Sequence, residues 1–172
     1  ERDVLNARPF QRYMPSKHLL QLFDENIDQR YHVTFKDVWI ANKNPLSEAD
    51  LATYPNMTVG DTAVYIMKNV ATSAEKRWAS TRYRLLDIND VYTENGSPIL
   101  RSQYVEMHKF ADPTAAFNQS WCQRDAFVIR LPELYFIAVE ALMQTDKKAA
   151  TDLMNEFLRK RAIPGKENEM QI

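Results

Sequence analysis

The stretch RLPELYFIAVEALMQ, residues 130–144, constrains the fold more than any other part of the chain. After Arg130 its only charges are Glu133 and Glu140, and Pro132 stands in the first turn, where a helix tolerates it. No glycine or further proline interrupts the stretch beyond that point, so the run reads as a helix. Leu131, Leu134, Tyr135, Ala138 and Leu142 form one stripe, and Phe136, Val139 and Met143 form a second. Only the strip holding Glu133, Glu140 and Gln144 suits water. The run is shorter than the roughly 20 residues that span a bilayer, so its two apolar sides call for protein on both.

A short TDKK connection then leads into KAATDLMNEFLRKRA, with Thr145 or Asp146 placed to cap it. Here Ala150, Leu153, Met154, Phe157 and Leu158 make a single apolar face, while Asp152, Asn155, Glu156, Arg159 and Lys160 lie opposite. Arg159, Lys160 and Arg161 complement the negative end of the helix, and Pro164-Gly165 stops it. The two segments predict an antiparallel helical hairpin, with Ala138 and Ala141 facing Ala149 and Ala150 to let the backbones approach. A first helix apolar on two sides beside an amphipathic second one is what stacked hairpins of the tetratricopeptide type require.

The remainder is more broken. Three glycines in 172 residues argue against an all-β barrel built on tight primed turns, which need positive φ. A short helix is expected over Pro15–Phe23, and YHVTFKDVWI, with Tyr31, Val33, Phe35 and Trp39 alternating, predicts a strand. Residues 42–60 read as a loop with one helical turn from Ser47 to Leu51, and residues 61–68 as extended. Between Ala71 and Pro98 the chain looks polar and irregular, closing on the turn TENGSP. Residues 99–110 regain extended character, and 111–125 read as loop.

The residues from Arg124 onward carry a resemblance. Arg124, Asp125, Ile129, Arg130, Leu131, Glu133, Tyr135, Ala138, Glu140, Ala141, Asn155, Arg159, Arg161 and Ala162 stand in places that resemble the carboxy-terminal half of the SusD/RagB family. RYMPSKHLLQLFDENIDQRY, GDTA and KFADP resemble family segments in the usual order. The resemblance implies a mainly α fold, a tetratricopeptide-like α-α superhelix with a loop-rich, partly β region packed on it. Residues 1–172 would then be part of one such domain, with 1–123 the loop-rich region and 124–172 the helical hairpin. It further implies a surface lipoprotein of the Bacteroidetes outer membrane that captures an oligosaccharide or polysaccharide, without catalysis, for a SusC-like TonB-dependent transporter. Some relatives handle peptides. Absence of an initiator Met, of the family's lipidated amino-terminal region and of its last helix leads us to expect a fragment of a longer protein, held to the membrane only by a lipid anchor upstream. A tetratricopeptide-type scaffold for protein contact is the reading from another class.

Charge and motifs narrow the chemistry. A net charge of −1 with both signs scattered offers no field for nucleic acid. His18, His32 and His108 lie far apart, outside any metal-ligand spacing, and no nucleotide-binding or hydrolase motif is present. Asp24, Asn26 and Asp28 have the spacing of the first ligands of a calcium loop, but Gln29 and Phe35 occupy its glycine and glutamate positions. No metal or other cofactor is expected. Sugars need flat apolar platforms edged by polar groups, which directs attention to tryptophan. Trp39 falls on the apolar side of its expected strand and is read as packing. Trp78, amid Lys76, Arg77, Arg82 and Arg84, and Trp121, in the polar stretch FNQSWCQRD, are the glycan-binding candidates. The polar side of the last helix, around Asn155 and Arg159, is a weaker candidate for contact with the transporter or with absent chain.

Overall fold

The computed structural model of the protein describes residues 13–112, 114, 116 and 123–172. The chain divides into two compact units, Glu1–Leu22 with Thr34–Gln123, and Phe23–Val33 with Arg124–Ile172. Taken together the described residues are helix-rich, with one small three-stranded sheet.

In the first unit, helix α1 (Lys17–Gln21) starts where the Ser16 hydroxyl accepts the Leu19 N–H at 3.1 Å, and it buries Leu20. Pro15 precedes the cap, and its carbonyl accepts the buried Tyr92 hydroxyl at 2.5 Å. Three strands follow, β1 (Val38–Ile40), β2 (Thr62–Ile66) and β3 (Arg84–Leu86), in that spatial order. The β1–β2 pair is antiparallel, with Val38 opposite Tyr65 and Trp39 opposite Val64; β2 and β3 run parallel. A parallel pair needs a crossover rather than a hairpin, and here the crossover carries a helix. Ala41, Met57 and Ala63 form a buried cluster beside the sheet, onto which Leu46, Tyr54, Val64 and Tyr83 pack. The helical turn expected at Ser47 is α3 (Glu48–Thr53), capped by the Ser47 hydroxyl at 3.2 Å from the Asp50 N–H.

Three expectations need correction. Of the strand expected over residues 31–40 only β1 forms; Arg30–Thr34 is a helical turn, α2. The alternation failed at Val33, which is exposed, whereas Tyr31 and Phe35, four residues apart, are both buried, the spacing of a helix face. The segment from Ala71 to Pro98 is ordered, not irregular: it holds α4 (Ser73–Ala79), β3 and α5 (Ile88–Val91). Both helices begin with capping boxes, Thr72 with Glu75 and Asp87 with Asp90, in which two polar side chains satisfy each other's backbone N–H groups. Finally, residues 99–110 are turns and a 3-10 turn at His108–Phe110. Their extended character is limited to the bridge of Glu106 with Lys36, two N–H to O bonds of 2.9 Å. The TENGSP turn is present, closed by the Gly96 N–H on the Thr93 carbonyl, with Gly96 at φ 76°.

The second unit is built on α6 (Leu131–Met143) and α7 (Lys147–Arg159). Asp146 caps α7, its carboxylate accepting the Ala149 N–H at 3.0 Å. Tyr135 and Phe136, early in α6, meet Phe157, late in α7, with ring centroids 5.2 and 5.3 Å apart. The helices are therefore antiparallel. The Arg161 guanidinium lies over the Phe157 ring, 3.8 Å from its centroid, and donates to the Phe157 carbonyl. Residues 23–33 run along the chain that leaves α7: the Gln29 N–H bonds the Arg161 carbonyl at 3.0 Å and the Ile163 N–H bonds the Ile27 carbonyl at 2.8 Å.

Cover on both sides of α6 is not found among the described residues. No residue of α6 is buried, and Leu131, Leu134, Ile137 and Met143 are all at least half exposed. The apolar face of α7 is one helix wide, so it covers the Tyr135–Phe136 side and leaves the rest. Ala138 and Ala141 are exposed as well, and of the expected alanine contacts only Ala150 is buried. The aromatic rings, rather than the small residues, set this interface.

Candidate functional site

Trp78 is the next-to-last residue of α4, a helix whose start is fixed by its capping box. Its indole is 56% exposed. What holds so large a ring at the surface is Tyr83, just beyond the helix, whose ring meets it edge-on at 5.8 Å and itself packs on the Ala41–Met57–Ala63 cluster. Over the indole lies the Arg82 guanidinium, 4.4 Å from the ring centroid, while its Nη1 donates to the Trp78 carbonyl at 2.9 Å. The spacing of four residues across the end of a helix brings the two side chains together. The turn between them is pinned by Asn56, whose N–H bonds the Thr81 carbonyl at 2.9 Å and whose amide donates to the Thr81 hydroxyl at 3.1 Å.

The four cations flanking Trp78 in sequence have separate fates. Lys76 turns inward and pairs with the buried Asp87 carboxylate at 2.8 Å, which raises the lysine's pKa. Burial pushes the Asp87 pKa up, but the Lys76 ammonium and the Asn89 and Ala71 N–H groups outweigh it, and the net shift is downward. Arg84 meets the Gln103 amide oxygen at 2.5 Å when that amide is oriented to donate to the Asp90 carbonyl. Arg77 and Arg82 make no ion pair among the described residues. Glu75, the nearest carboxylate in sequence, is committed to the helix cap: the Thr72 hydroxyl and then its N–H, both at 2.7 Å, hold its pKa below the usual value.

The other sequence candidates do not gather here. Trp121 lies outside the described residues. Trp39 is half-buried, edge-on to Tyr104 at 6.5 Å with the Lys36 ammonium 5.7 Å from its ring. His32 packs against Tyr31, and His18 and His108 sit in separate short helices. Asp24 accepts the N–H and the side-chain amide of Asn26, and Asp28 takes the Arg30 guanidinium in a two-pronged pair, so the calcium-like spacing is used in a turn. Among the described residues no group of three or more His, Cys, Asp or Glu could hold a metal ion. On α7, Asn155 and Arg159 are occupied by their own chain. Asn155 takes the Ile172 N–H at 2.8 Å and donates back to its carbonyl at 3.3 Å, and Arg159 bonds Gln171 at 3.0 Å.

Sequence reasoning missed Tyr83 and the order around it. The signal was there in the spacing: Thr72-x-x-Glu75 marks a helix start, which would have placed Trp78 and Arg82 one turn apart and Tyr83 at the entry to the next strand. The arrangement is an exposed indole backed by the Tyr83 ring, with the Arg82 guanidinium over it. In comparison with known families, the model of the SusD family matches residues 8–171. No curated protein and no solved structure matches the chain.

Proposed function

The chain belongs to the SusD family, whose members serve nutrient binding at the outer membrane, and from that premise we propose that it is a glycan-binding component of an uptake system. It binds without cutting, and hands its ligand to a SusC-like TonB-dependent transporter at the surface of a Bacteroidetes cell. In this reading the full-length protein is lipid-anchored, and the α6–α7 hairpin is one repeat of a tetratricopeptide-like superhelix. Trp121 joins Trp78 as a second platform.

The observation that carries the reading is the exposed Trp78 ring, supported from behind by Tyr83 rather than turned into the core. Pyranose C–H faces pack on such a ring, and surrounding donors meet the hydroxyls. No helix among the described residues is long and apolar enough to cross a membrane, which accords with attachment by a lipid. The test is affinity electrophoresis of the protein through gels containing a panel of polysaccharides, with peptides tried as soluble competitors. Retardation by one glycan class, lost in Trp78→Ala, supports the proposal. Migration unchanged in every gel refutes it, and competition by peptides alone assigns the chain to the peptide-handling branch.

A further inference from the structure

We infer that Arg82 sets how tightly the Trp78 platform holds its ligand, because its guanidinium occupies the indole face on which a sugar would stack and must leave before the sugar can. The inference rests on the reading of Trp78 as a glycan platform. A pyranose packs its C–H face on the flat of an aromatic ring, and the same flat attracts a cation. The Arg82 guanidinium sits there already, 4.4 Å from the ring centroid. Tyr83 meets the indole at a steep angle, 67° between the ring planes and 5.8 Å between centroids, so it props the ring without lying flat on it. Ligand and guanidinium therefore compete for one surface.

The backbone that carries Arg82 is firmly placed, and its side chain is lightly held. The N–H groups of Arg82 and Tyr83 both bond the Ala79 carbonyl, at 2.8 and 3.0 Å, and Asn56 pins Thr81 through its N–H and its side-chain amide. Only the side chain is then left to move. It is held by the ring and by one bond, from Nη1 to the Trp78 carbonyl at 2.9 Å. No carboxylate fixes it: Asp87 is taken by Lys76 at 2.8 Å, and Arg82 makes no ion pair among the described residues. The guanidinium is half-buried and the indole beneath it exposed, so on swinging away it returns to water and leaves no buried charge behind. An exposed cation–π contact of this kind keeps the ring covered about two to five times as often as it leaves it open. Because a ligand's apparent affinity falls with the fraction of the protein ready to receive it, the cover weakens binding about three- to sixfold.

The test has two arms, both on the full chain. Acrylamide, a small uncharged quencher, reads the cover without any sugar: Arg82→Ala should raise the quenching of tryptophan fluorescence above wild type, and the rise should vanish when Trp78→Phe is added. Calorimetric titration with maltohexaose, cellohexaose, xylohexaose and mannohexaose reads the competition. Whichever of them binds wild type should bind Arg82→Ala about three to six times more tightly. Arg82→Gln, which keeps a donor for the Trp78 carbonyl without the charge, should gain in the same direction, and Arg101→Ala, at an exposed arginine elsewhere, should gain nothing. Circular dichroism confirms the fold of each variant, and if Arg82→Ala loosens α4 the result is read from Arg82→Gln. Weaker binding by the folded variants would make Arg82 a contact of the sugar rather than its competitor and overturn the inference, as would unchanged affinity; either result leaves the glycan reading standing. Binding of none of the four sugars by any variant would remove the glycan reading, and the competition with it.

Discussion

Replacing Asp87 by Ala should cost the protein about 3 kcal/mol, a figure set by the groups its carboxylate holds. Asp87 is 2% exposed. One oxygen accepts the Asn89 N–H at 2.9 Å and so caps α5; the other accepts the buried Ala71 N–H at 3.3 Å and the Lys76 ammonium at 2.8 Å. Loss of a helix cap costs about 1 kcal/mol, and an orphaned buried N–H about 1–3 kcal/mol. Lys76 is half exposed and returns to water. With a urea m-value of about 2 kcal/mol/M, the midpoint should fall by roughly 1–1.5 M. Asp87→Asn keeps an acceptor and should lose less. The pH dependence has a definite sign. The native carboxyl titrates below its ordinary value near 3.8, so the unfolded chain binds the proton more readily; the contribution of Asp87 is complete above that value and is lost as pH falls through the native pKa. Chemical denaturation at neutral and acid pH, followed by circular dichroism, reads both effects. A midpoint shift under about 0.2 M at neutral pH, or a variant whose deficit does not shrink on acidification, would refute this account of how α4, and with it Trp78, is held.

The two faces of α6 should respond oppositely to substitution. Phe157→Ala removes the buried ring between Tyr135, Phe136 and Arg161 and should destabilise by about 3 kcal/mol, whereas Ile137→Lys, on the exposed side, should stay within about 0.5 kcal/mol of wild type by thermal melting. Tyr92, buried and bonded to the Pro15 carbonyl, has its pKa pushed up to about 12 by burial. The folded chain keeps that proton where the unfolded chain releases it, so stability should be intact below pH 10 and decline from there towards about 12, a decline that Tyr92→Phe removes. Phenolate absorbance during alkaline titration, with and without the substitution, measures it.

The elements legible in the sequence were those with a local signature. Ser47, and the pair Thr145-Asp146, announced their helices as caps, Pro132 opened a run without breakers, and TENGSP could only turn. What the sequence concealed depended on partners distant along the chain. Tyr31 and Phe35 suit a strand by type, and only the exposure of Val33 shows that they share a helix face. Leu85 and Leu86 gave too short a run to betray a strand, and β3 exists because β2 lies ready to pair with it. For the site, the basic residues around Trp78 were visible but their sorting was not. Nothing local says that Lys76 turns to Asp87, eleven residues on, while Arg82 stays over the ring. The apolar composition of α6 led us to expect cover on two sides, and among the described residues only the Tyr135–Phe136 side meets α7.

The central claim is that the Trp78 surface captures a glycan and leaves it whole. Its most direct test is a calorimetric titration of wild type and Trp78→Ala with the glycan that retards the protein most strongly, followed by a reducing-end assay on the same samples. The account predicts saturable binding by wild type, loss of at least about tenfold in affinity in the variant, and no new reducing ends. Equal binding by both proteins, or release of shorter sugars, would contradict it.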